Sequence, residues 1–216
     1  MNTTEQTPRG RPRDANIDVL VLETTRQLLS EVGFAATTVQ EISRRSGVHP
    51  PAIYRRWPSR LALIEHAAFS SLTEIDVQPS GDLRGDLRRF VRAYERGLGT
   101  PAARAAMPGL MANYMHDVPP PAAQWLHLSV RPQFYEILRA APDDVDPDLD
   151  FDEVFDLIEG AVLARVIVPL VAARRSRIDS MVDMIVRILA RPDRGNATRG
   201  KAGRPRGRRR GSEGAQ

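Results

Sequence analysis

The sequence contains no cysteine among its 216 residues. A disulfide framework, a thiolate zinc site and a cysteine nucleophile are therefore excluded. Long hydrophobic runs are also missing, because the longest apolar stretch, residues 161–173, is interrupted by Arg165 and is too short to span a bilayer. Residues 1–13 lack the apolar segment of a secretion signal. We therefore expect a cytoplasmic protein without a membrane segment.

Lysine is almost absent, since Lys201 is the one lysine among 31 basic residues. The formal net charge of +4 is unevenly spread. Residues 191–216 contain nine basic and two acidic side chains, a net of +7, which leaves −3 for residues 1–190. We predict that residues 191–216 form a disordered basic tail. Such a tail either binds DNA or remains solvated without a specific partner.

Motifs of catalysis and metal binding are missing as well. There is no glycine-rich phosphate loop, no nucleophile elbow and no His/Glu pair at metal-binding spacing, so we predict neither an enzyme nor a cofactor. Aspartates alternate in the acidic run of residues 141–153. This run lacks the glycine at the sixth position and the glutamate at the twelfth that an EF-hand loop requires, which favours an interhelical loop with a helix-capping residue over a calcium site.

Apolar residues recur at helical spacing, and no convincing alternating strand pattern is present, so the sequence predicts an all-α fold. Residues 1–13 are predicted to form a flexible basic arm, and a first helix is expected from Asp14 to Gly33. The Pro- and Gly-containing stretch 76–81 is the expected boundary between a first domain, residues 14–75, and a second helical domain, residues 82–190.

Residues 37–57 have the pattern of a helix-turn-helix. Thr38 and Glu41 form a capping box, in which the threonine oxygen accepts from the Glu41 N–H and the glutamate side chain returns to the threonine N–H. Gly47 provides a tight turn with positive φ. A second short helix follows and ends before Trp57-Pro58, so that two short helices are joined by a glycine turn within about twenty residues.

Two prolines, Pro50 and Pro51, stand where this second short helix should begin. The first N–H groups of a helix have no partner within the helix, so proline at the first helical position loses no hydrogen bond. Proline also disfavours the α conformation of the residue before it. We therefore expect the helix to begin at Pro51 or only just before it, with His49 at or outside the cap.

The sequence GFAATTVQEISRRSGVHPPAIYRRWPSRLALIEHA, residues 33–67, resembles the DNA-binding domain of the TetR family of bacterial transcription regulators. The resemblance covers roughly residues 10–70 and extends less distinctively past Gly81. It implies a three-helix DNA-binding domain with a helix-turn-helix, followed by a helical ligand-binding and dimerisation domain. It further implies a homodimer that reads a roughly palindromic operator, and a small-molecule effector whose binding releases the DNA, as in a repressor.

By position in the family, Thr38, Tyr54 and Arg60 are expected to contact DNA phosphates, which position a protein without selecting sequence. The family commonly has polar residues where Pro50, Pro51 and Ala52 stand. These three offer no side-chain hydrogen-bond donor, so they can only pack on thymine methyl groups or exclude bulk.

The remaining candidates for base contact are Arg44, His49, Tyr54 and Arg55. For Arg44, a solvated helix face is as good an interpretation as a DNA contact. Arg55 and Arg56 can each bind phosphate or pair with a carboxylate.

Arginines outside the helices are further DNA-binding candidates. The arm carries Arg9, Arg11 and Arg13, and short arginine segments of this kind can enter a narrow A·T-rich minor groove. The tail repeats the pattern around Arg204 and Arg206, similar to the core of an AT-hook. An architectural DNA-binding protein that bridges duplexes through its two arginine-rich ends is therefore the alternative to an operator-specific regulator.

The second domain offers candidates for a ligand pocket and for a dimer interface. Adaptable and aromatic side chains of its central helices can line a ligand cavity or belong to an ordinary core; they are Met107, Met111, Tyr114, Met115, Trp125, Leu128 and Phe134. The last two helices are apolar on more than one side, which indicates either pairing with a second subunit or cover by another helix. The predicted dimer residues are Phe155, Ile158, Val162, Val166, Met181, Ile185 and Ile188.

Overall fold

A computed structural model describes residues 15–116, 130–168 and 178–190, and within these ranges the secondary structure is helical, with no strand. The predicted all-α fold is confirmed. The α-helices of this part of the chain are α1 (Ala15–Ala36), α2 (Val39–Ser46), α3 (Pro50–Tyr54), α4 (Arg60–Phe69), α5 (Leu83–Leu98), α6 (Pro101–His116), α7 (Arg131–Ala140), α8 (Phe151–Ile167) and α9 (Ile178–Leu189), with a 3₁₀ turn at Ser70–Leu72.

Side-chain caps define the start of several helices. Ser59 accepts from the backbone N–H of Ala62 at 3.0 Å before α4, and Asp82 accepts from Gly85 at 3.0 Å before α5. Asp150 at the end of the acidic run caps α8, as the sequence predicted for a helix-capping residue in that loop. Each cap satisfies a backbone donor that has no partner inside its helix.

The predicted end of the first regular helix at Gly33 agrees with the backbone. Gly33 takes a φ of 77° and a ψ of 179°, which are not helical, and a short helical piece follows it to Ala36. Glycine tolerates this positive φ because it has no Cβ. The break changes the direction of the chain just before Phe34 and Thr37, both of which contribute to the DNA-binding part described below.

Two apolar cores organise the described helices. A small core joins α1, α2, α3 and α4 and contains Val21, Leu28, Val39, Ile42, Ile53, Trp57 and Leu63. The larger core lies among α5 to α9 and also receives Leu29 of α1 and Ile64 of α4. Because α1 and α4 each contribute to both cores, the two parts of the protein share a buried apolar junction.

Two glycines allow close packing at this junction. A Cβ on Gly97 of α5 would lie 2.6 Å from the Leu72 side chain, and a Cβ on Gly109 of α6 would overlap the Phe34 ring. Non-bonded carbon atoms do not come this close, so each glycine makes room for an apolar side chain from the N-terminal part. Glycine at these two positions therefore lets the C-terminal helices pack closely on the N-terminal part.

Buried and half-buried polar groups hold the connection between α4 and α5. The fully buried Asp86 accepts hydrogen bonds from the backbone N–H of Ser80 at 2.8 Å and from its hydroxyl at 2.7 Å. Gln133 of α7 pairs with both backbone groups of Val77, at 3.4 and 3.0 Å. These contacts fasten residues 77–80 to the second part of the protein.

The predicted dimer residues require correction. Phe155, Ile158, Val162, Val166, Met181 and Ile185 are each at most 7% exposed within the single subunit and belong to its larger core. Side chains that already pack against their own subunit cannot offer the same surface to a partner. Ile188 differs, with 43% of its surface exposed.

The other side of α8 and α9 carries exposed apolar side chains that the intrasubunit core does not use. We call them the outer apolar residues: Leu157, Val168, Met184 and Ile188, which are 60%, 41%, 56% and 43% exposed. On α9, Met184 and Ile188 are one helical turn apart. The opposite side of α9 is held on α5 by ion pairs between Arg84 and Asp183 at 2.6 Å and between Arg88 and Asp179 at 2.7 Å.

Candidate nucleic-acid interface

The two short helices α2 and α3 are held together by a glycine turn and by the small core. Gly47 adopts φ 71° and its N–H donates to Ser43 at 2.9 Å, which ends α2. Val39 and Ile42 of α2 and Ile53 of α3 are at most 3% exposed. Because these three side chains point into the core, the remaining faces of the two short helices are turned to solvent. The predicted helix-turn-helix is confirmed.

The start of α3 is formed as its prolines predict. Pro50 is the first helical residue and His49 occupies the N-cap in an extended conformation, with no capping hydrogen bond from its side chain. The side chains of His49, Pro51, Tyr54 and Arg55 are exposed, while Pro50 and Ala52 are half-buried. This end of α3 therefore presents an imidazole, a proline ring and a phenol to solvent. The backbone N–H groups of Ala52 and Ile53 already donate to the carbonyl of His49.

Half of the predicted capping box is wrong. Thr38 does accept from the Glu41 backbone N–H at 3.1 Å. The Thr38 N–H, however, donates to Ala36 at 2.9 Å, and the Glu41 carboxylate instead accepts from Arg44 at 2.8 and 2.6 Å and from Arg45 at 3.0 Å. Charge-assisted hydrogen bonds to two guanidinium groups are stronger than one bond to a neutral backbone N–H, which explains the choice.

The Glu41 carboxylate is the centre of a surface ion cluster. Hydrogen bonds from Arg44 and then Arg45 lower the pKa of Glu41 to about 2, so it remains ionised at neutral pH. Arg45 also pairs with Glu31 of α1. The predicted DNA contact Arg44 is thus held in an ion pair while its side chain stays 69% exposed. The i, i+3 and i, i+4 spacing of these charges could have been read from the sequence.

The two arginines that follow α3 have different environments. Arg56 is only 9% exposed, pairs with Asp18 of α1 and donates to the carbonyl of Ala52 at 3.2 Å. Arg55 is exposed and forms no ion pair with any of the described residues. Of the two alternatives left open by the sequence, the carboxylate pair therefore applies to Arg56, and the guanidinium of Arg55 is available for a phosphate.

Arg60 is the first residue of α4, and its guanidinium binds within the domain. Its Nε donates to the carbonyl of Thr37 at 2.7 Å, and its Nη2 donates to the carbonyl of Phe34. Its Cζ lies 4.4 Å from the centroid of the Phe34 ring, a cation–π arrangement. Burial lowers the pKa of Arg60. The expected phosphate contact therefore competes with a structural role that the sequence did not indicate.

Trp57 and His66 fix α4 against α3. Trp57 is 6% exposed, and its indole N–H donates to Nδ1 of His66 at 3.0 Å. Trp57, the aromatic residue after α3, therefore belongs to the small core and links α3 to α4 on the buried side of these helices.

The remaining predicted DNA contacts lie outside the described residues. These are Arg9, Arg11 and Arg13 of the arm and Arg204 and Arg206 of the tail.

The predicted ligand-pocket residues do not share one environment. Met107 and Phe134 are buried in the larger core, at 6% and 0% exposure, whereas Met111 is 44% exposed and Tyr114 is half-buried against that core. The Met115 side chain and residues Trp125 and Leu128 lie outside the described part. For Met107 and Phe134, core packing accounts for the burial.

One polar pair enters the aromatic part of the larger core. Phe90, Tyr94, Phe134 and Phe155 form a cluster in which ring centroids lie 5.7 to 6.4 Å apart. The Tyr94 hydroxyl donates to Glu159 at 3.2 Å. Burial raises the pKa of Tyr94, and Glu159 raises it further, so Tyr94 remains a neutral donor.

Metal sites and membrane spans are both missing from the described residues. These residues contain no group of three or more His, Asp or Glu side chains arranged to hold a metal ion. None of the described helices is both long enough and apolar enough to cross a membrane.

A helix-turn-helix on a small helical core, joined to a larger helical domain, defines a class of DNA-binding regulators. Residues 21–67 match the family model of the bacterial regulatory proteins of the tetR family, and residues 77–185 match that of the tetracyclin repressor-like C-terminal domain. The chain belongs to the TetR family of transcriptional regulators, and it is a DNA-binding regulator of the helix-turn-helix type.

Individual relatives agree with this assignment. The HTH-type transcriptional regulator Rv1556 of Mycobacterium tuberculosis is 28% identical over 182 residues, which cover 81% of this chain and 86% of that protein. The HTH-type regulator YdeS of Bacillus subtilis is 38% identical over 69 residues, 32% of this chain and 35% of its own.

The fold is shared with solved TetR-family structures. A putative regulator from Shewanella sp. PV-4 superposes with a TM-score of 0.53 at 19% identity, covering 82% of this chain and 99% of the other. A regulator from Rhodococcus sp. RHA1 gives 0.52 at 19% identity, with coverage of 81% and 95%.

Proposed function

We propose that this regulator is a homodimeric repressor that binds a roughly palindromic operator and is released from it by a small molecule. The observation that carries the proposal is the exposed N-terminal end of α3, where His49, Pro51 and Tyr54 face solvent beside the free guanidinium of Arg55. A recognition helix enters the major groove with its N-terminal residues against the bases.

Within this interface the side chains have different roles. Thr38, Tyr54 and Arg55 position the protein on phosphates, and Arg44 joins them when it leaves Glu41. Pro51 and Ala52 pack on thymine methyl groups, and His49 offers the one polar group at the cap that can reach a base edge. Because so few donors face the bases, the shape and deformability of the operator provide much of the specificity.

The outer apolar residues support the homodimer. Leu157, Met184 and Ile188 lose contact with water when α8 and α9 of two subunits pair, and exposed apolar side chains concentrated on adjacent elements mark association surfaces. To read successive major grooves of a palindromic operator, the two α3 helices of the dimer must lie about 34 Å apart, one turn of DNA, across its twofold axis. The predicted palindrome follows from that symmetry.

Release by an effector needs only a change in this spacing. A ligand that binds the C-terminal helices better in one arrangement shifts the dimer toward it, by as much as its affinity differs between the two arrangements. The packed contacts of Leu72 with Gly97 and of Phe34 with Gly109 support such coupling, because they join the DNA-binding part to α5 and α6.

The experiment is selection of bound sequences from a random DNA pool at near-physiological salt, with the full chain and a chain ending at residue 190 in parallel. A palindrome shared by both supports the operator-specific repressor and supplies the DNA for an effector screen. Enrichment of A·T-rich DNA alone, lost with the tail, would instead identify an architectural DNA-binding protein.

A further inference from the structure

A cleft opens at the junction of the two parts of the protein, on the side of α5 that faces the connection from α4. Its volume is about 740 Å³, within the range of small-molecule sites. Ser71 and residues 74–78 contribute one wall, and α5 with the residue before α6 contributes the other. None of the described members of the predicted ligand-pocket set lines it.

The α5 wall is cationic. Arg89, Arg92 and Arg96 follow one another at spacings of three and four residues and therefore share one face of the helix. Arg89 is neutralised by the buried Asp86. Arg92 lies 3.8 Å from Asp179 and keeps 49% of its side chain exposed. Arg96 is exposed and forms no ion pair with the described residues, so of these three cleft-lining arginines it is the one without a carboxylate partner there.

The opposite wall is anionic. Glu74 and Asp76 both line the cleft and are both exposed. Asp76 accepts from the side-chain amide of Gln78 at 2.5 Å, and Glu74 has no ion pair within the described part of the chain. Side chains of both charges thus line the same cleft, and no ion pair between the described residues joins its two walls.

Apolar side chains also line the cleft. Ile75 and Val77 contribute from the connection and Ala93 contributes from α5, while Gly97 lies beneath the Leu72 side chain. An occupant can therefore bury a hydrocarbon group here while its charged ends reach the two walls.

We propose that this cleft binds a small zwitterion with an apolar body, of the type of an amino acid. Its carboxylate is held by the guanidiniums of Arg92 and Arg96, whose planar forks match a carboxylate. Its ammonium is held by Glu74 and Asp76. A ligand with both charges satisfies both walls, whereas a simple anion or cation leaves one wall unpaired and meets repulsion from it.

The position of the cleft gives such a ligand a structural effect. The residues of its anionic wall directly follow the 3₁₀ turn that ends the DNA-binding part, and its cationic wall belongs to the C-terminal part. A zwitterion that bridges the walls ties these two parts together. Its binding needs no DNA and no dimer, so the test below is independent of the proposed repressor function.

Titration calorimetry with the full-length protein, at fixed ionic strength, tests the proposal with three related probes. L-Phenylalanine carries both charges, N-acetyl-L-phenylalanine lacks the ammonium, and phenethylamine lacks the carboxylate. We expect phenylalanine to bind about tenfold or more tightly than either single-charge analogue, because losing a charged hydrogen-bond partner costs that much. L-Leucine, with the same charges and a smaller body, is the second zwitterion.

Variants locate the binding. Arg96→Gln and Glu74→Gln change exposed side chains without ion pairs among the described residues and should each weaken phenylalanine binding about tenfold. Arg139→Gln and Glu153→Gln make the same charge changes at exposed positions outside the cleft and should leave it unchanged. Undiminished binding by both cleft variants, equal binding of N-acetyl-phenylalanine, or binding of neither zwitterion would overturn the proposal.

Discussion

The guanidinium of Arg60 lies over the ring of Phe34, with its Cζ 4.4 Å from the ring centroid, and the same ring packs against Gly109 of α6. Arg60 also holds the carbonyl of Thr37, the residue before the Thr38 cap of α2. A continuous set of contacts thus connects α6 of the C-terminal part to the start of the helix-turn-helix.

The first prediction concerns the space at Gly109. In Gly109→Ala the new methyl group overlaps the Phe34 ring, and the ring must shift away from its place beneath Arg60. We expect a loss of about 1–3 kcal/mol in the free energy of unfolding, typical of overpacking, measured by urea denaturation. The control is the double-mutant cycle with Phe34→Ala: once the ring is absent, Gly109→Ala should cost much less. Equal costs in both backgrounds would show that the ring is not the obstacle.

The second prediction concerns the ion pair that holds Arg44. In Glu41→Gln, the guanidiniums of Arg44 and Arg45 lose their shared carboxylate, while Thr38 keeps its bond to the backbone of residue 41. We expect tighter DNA binding, and a slope of log affinity against log salt steeper by roughly 0.9 for each additional phosphate contact. Fluorescence anisotropy of a labelled duplex over a salt series measures both.

Glu31→Gln is the matched control for this experiment. It removes the same charge from the partner of Arg45 but leaves Arg44 paired with Glu41. A salt slope that changes equally in both variants would mean that net charge, and not the release of Arg44, is responsible.

The third prediction concerns association. Leu157→Arg and Met184→Arg each place a charge among the outer apolar residues, which face solvent in the single subunit. We expect the subunit to keep its helical content and to dissociate, because an unpaired charge in an apolar interface is strongly unfavourable. Sedimentation velocity measures the mass. Val19→Arg on α1, where the native valine is 64% exposed, is the control and should leave the mass unchanged. A monomeric native protein would contradict the homodimer.

The fourth prediction concerns pH. Burial raises the pKa of Glu65 on α4 to about 7, and its buried Oε1 has no hydrogen-bond partner among the described residues. Because the folded pKa lies above the unfolded one, the protonated form favours folding. This contribution is complete below about pH 4.5 and is lost as pH rises through about 7.

The urea midpoints of the native chain and of Glu65→Gln should therefore be similar near pH 4.5. They should separate above pH 7, where the glutamine variant should be the more stable. The control is Glu153→Gln, which changes an exposed glutamate and should differ from the native chain by the same amount at every pH in this range. A native chain that loses no stability relative to Glu65→Gln between these limits would rule out a buried Glu65 carboxylate.

The secondary structure of the DNA-binding part was predictable because its signals are local. Thr38 as a cap, Gly47 in a turn and Pro50 at a helix start each depend on the conformation of a few consecutive residues, and all three occur in the structure. The family motif in residues 33–67 added the DNA-binding class, which the family models confirm.

Side-chain partners depended on the tertiary structure, because they join residues that are distant in sequence or that compete for one group. Glu41 binds two arginines instead of the Thr38 N–H, Arg60 binds carbonyls of residues 34 and 37, and the apolar stripe of Phe155 and Ile158 packs inward. Helical periodicity shows that a helix has an apolar face, but it does not show whether that face meets its own subunit or another.

The sequence by itself therefore determined the helices, the turn and the class of protein, since these follow from backbone conformation and a local motif. Only the tertiary structure decided which helix faces remain exposed, among them the surface that carries Leu157 and Met184. It also brought Arg96 and Glu74 to the lining of one cleft. These features arise when separate helices pack together, and packing is set by the shapes of all the contacting side chains at once.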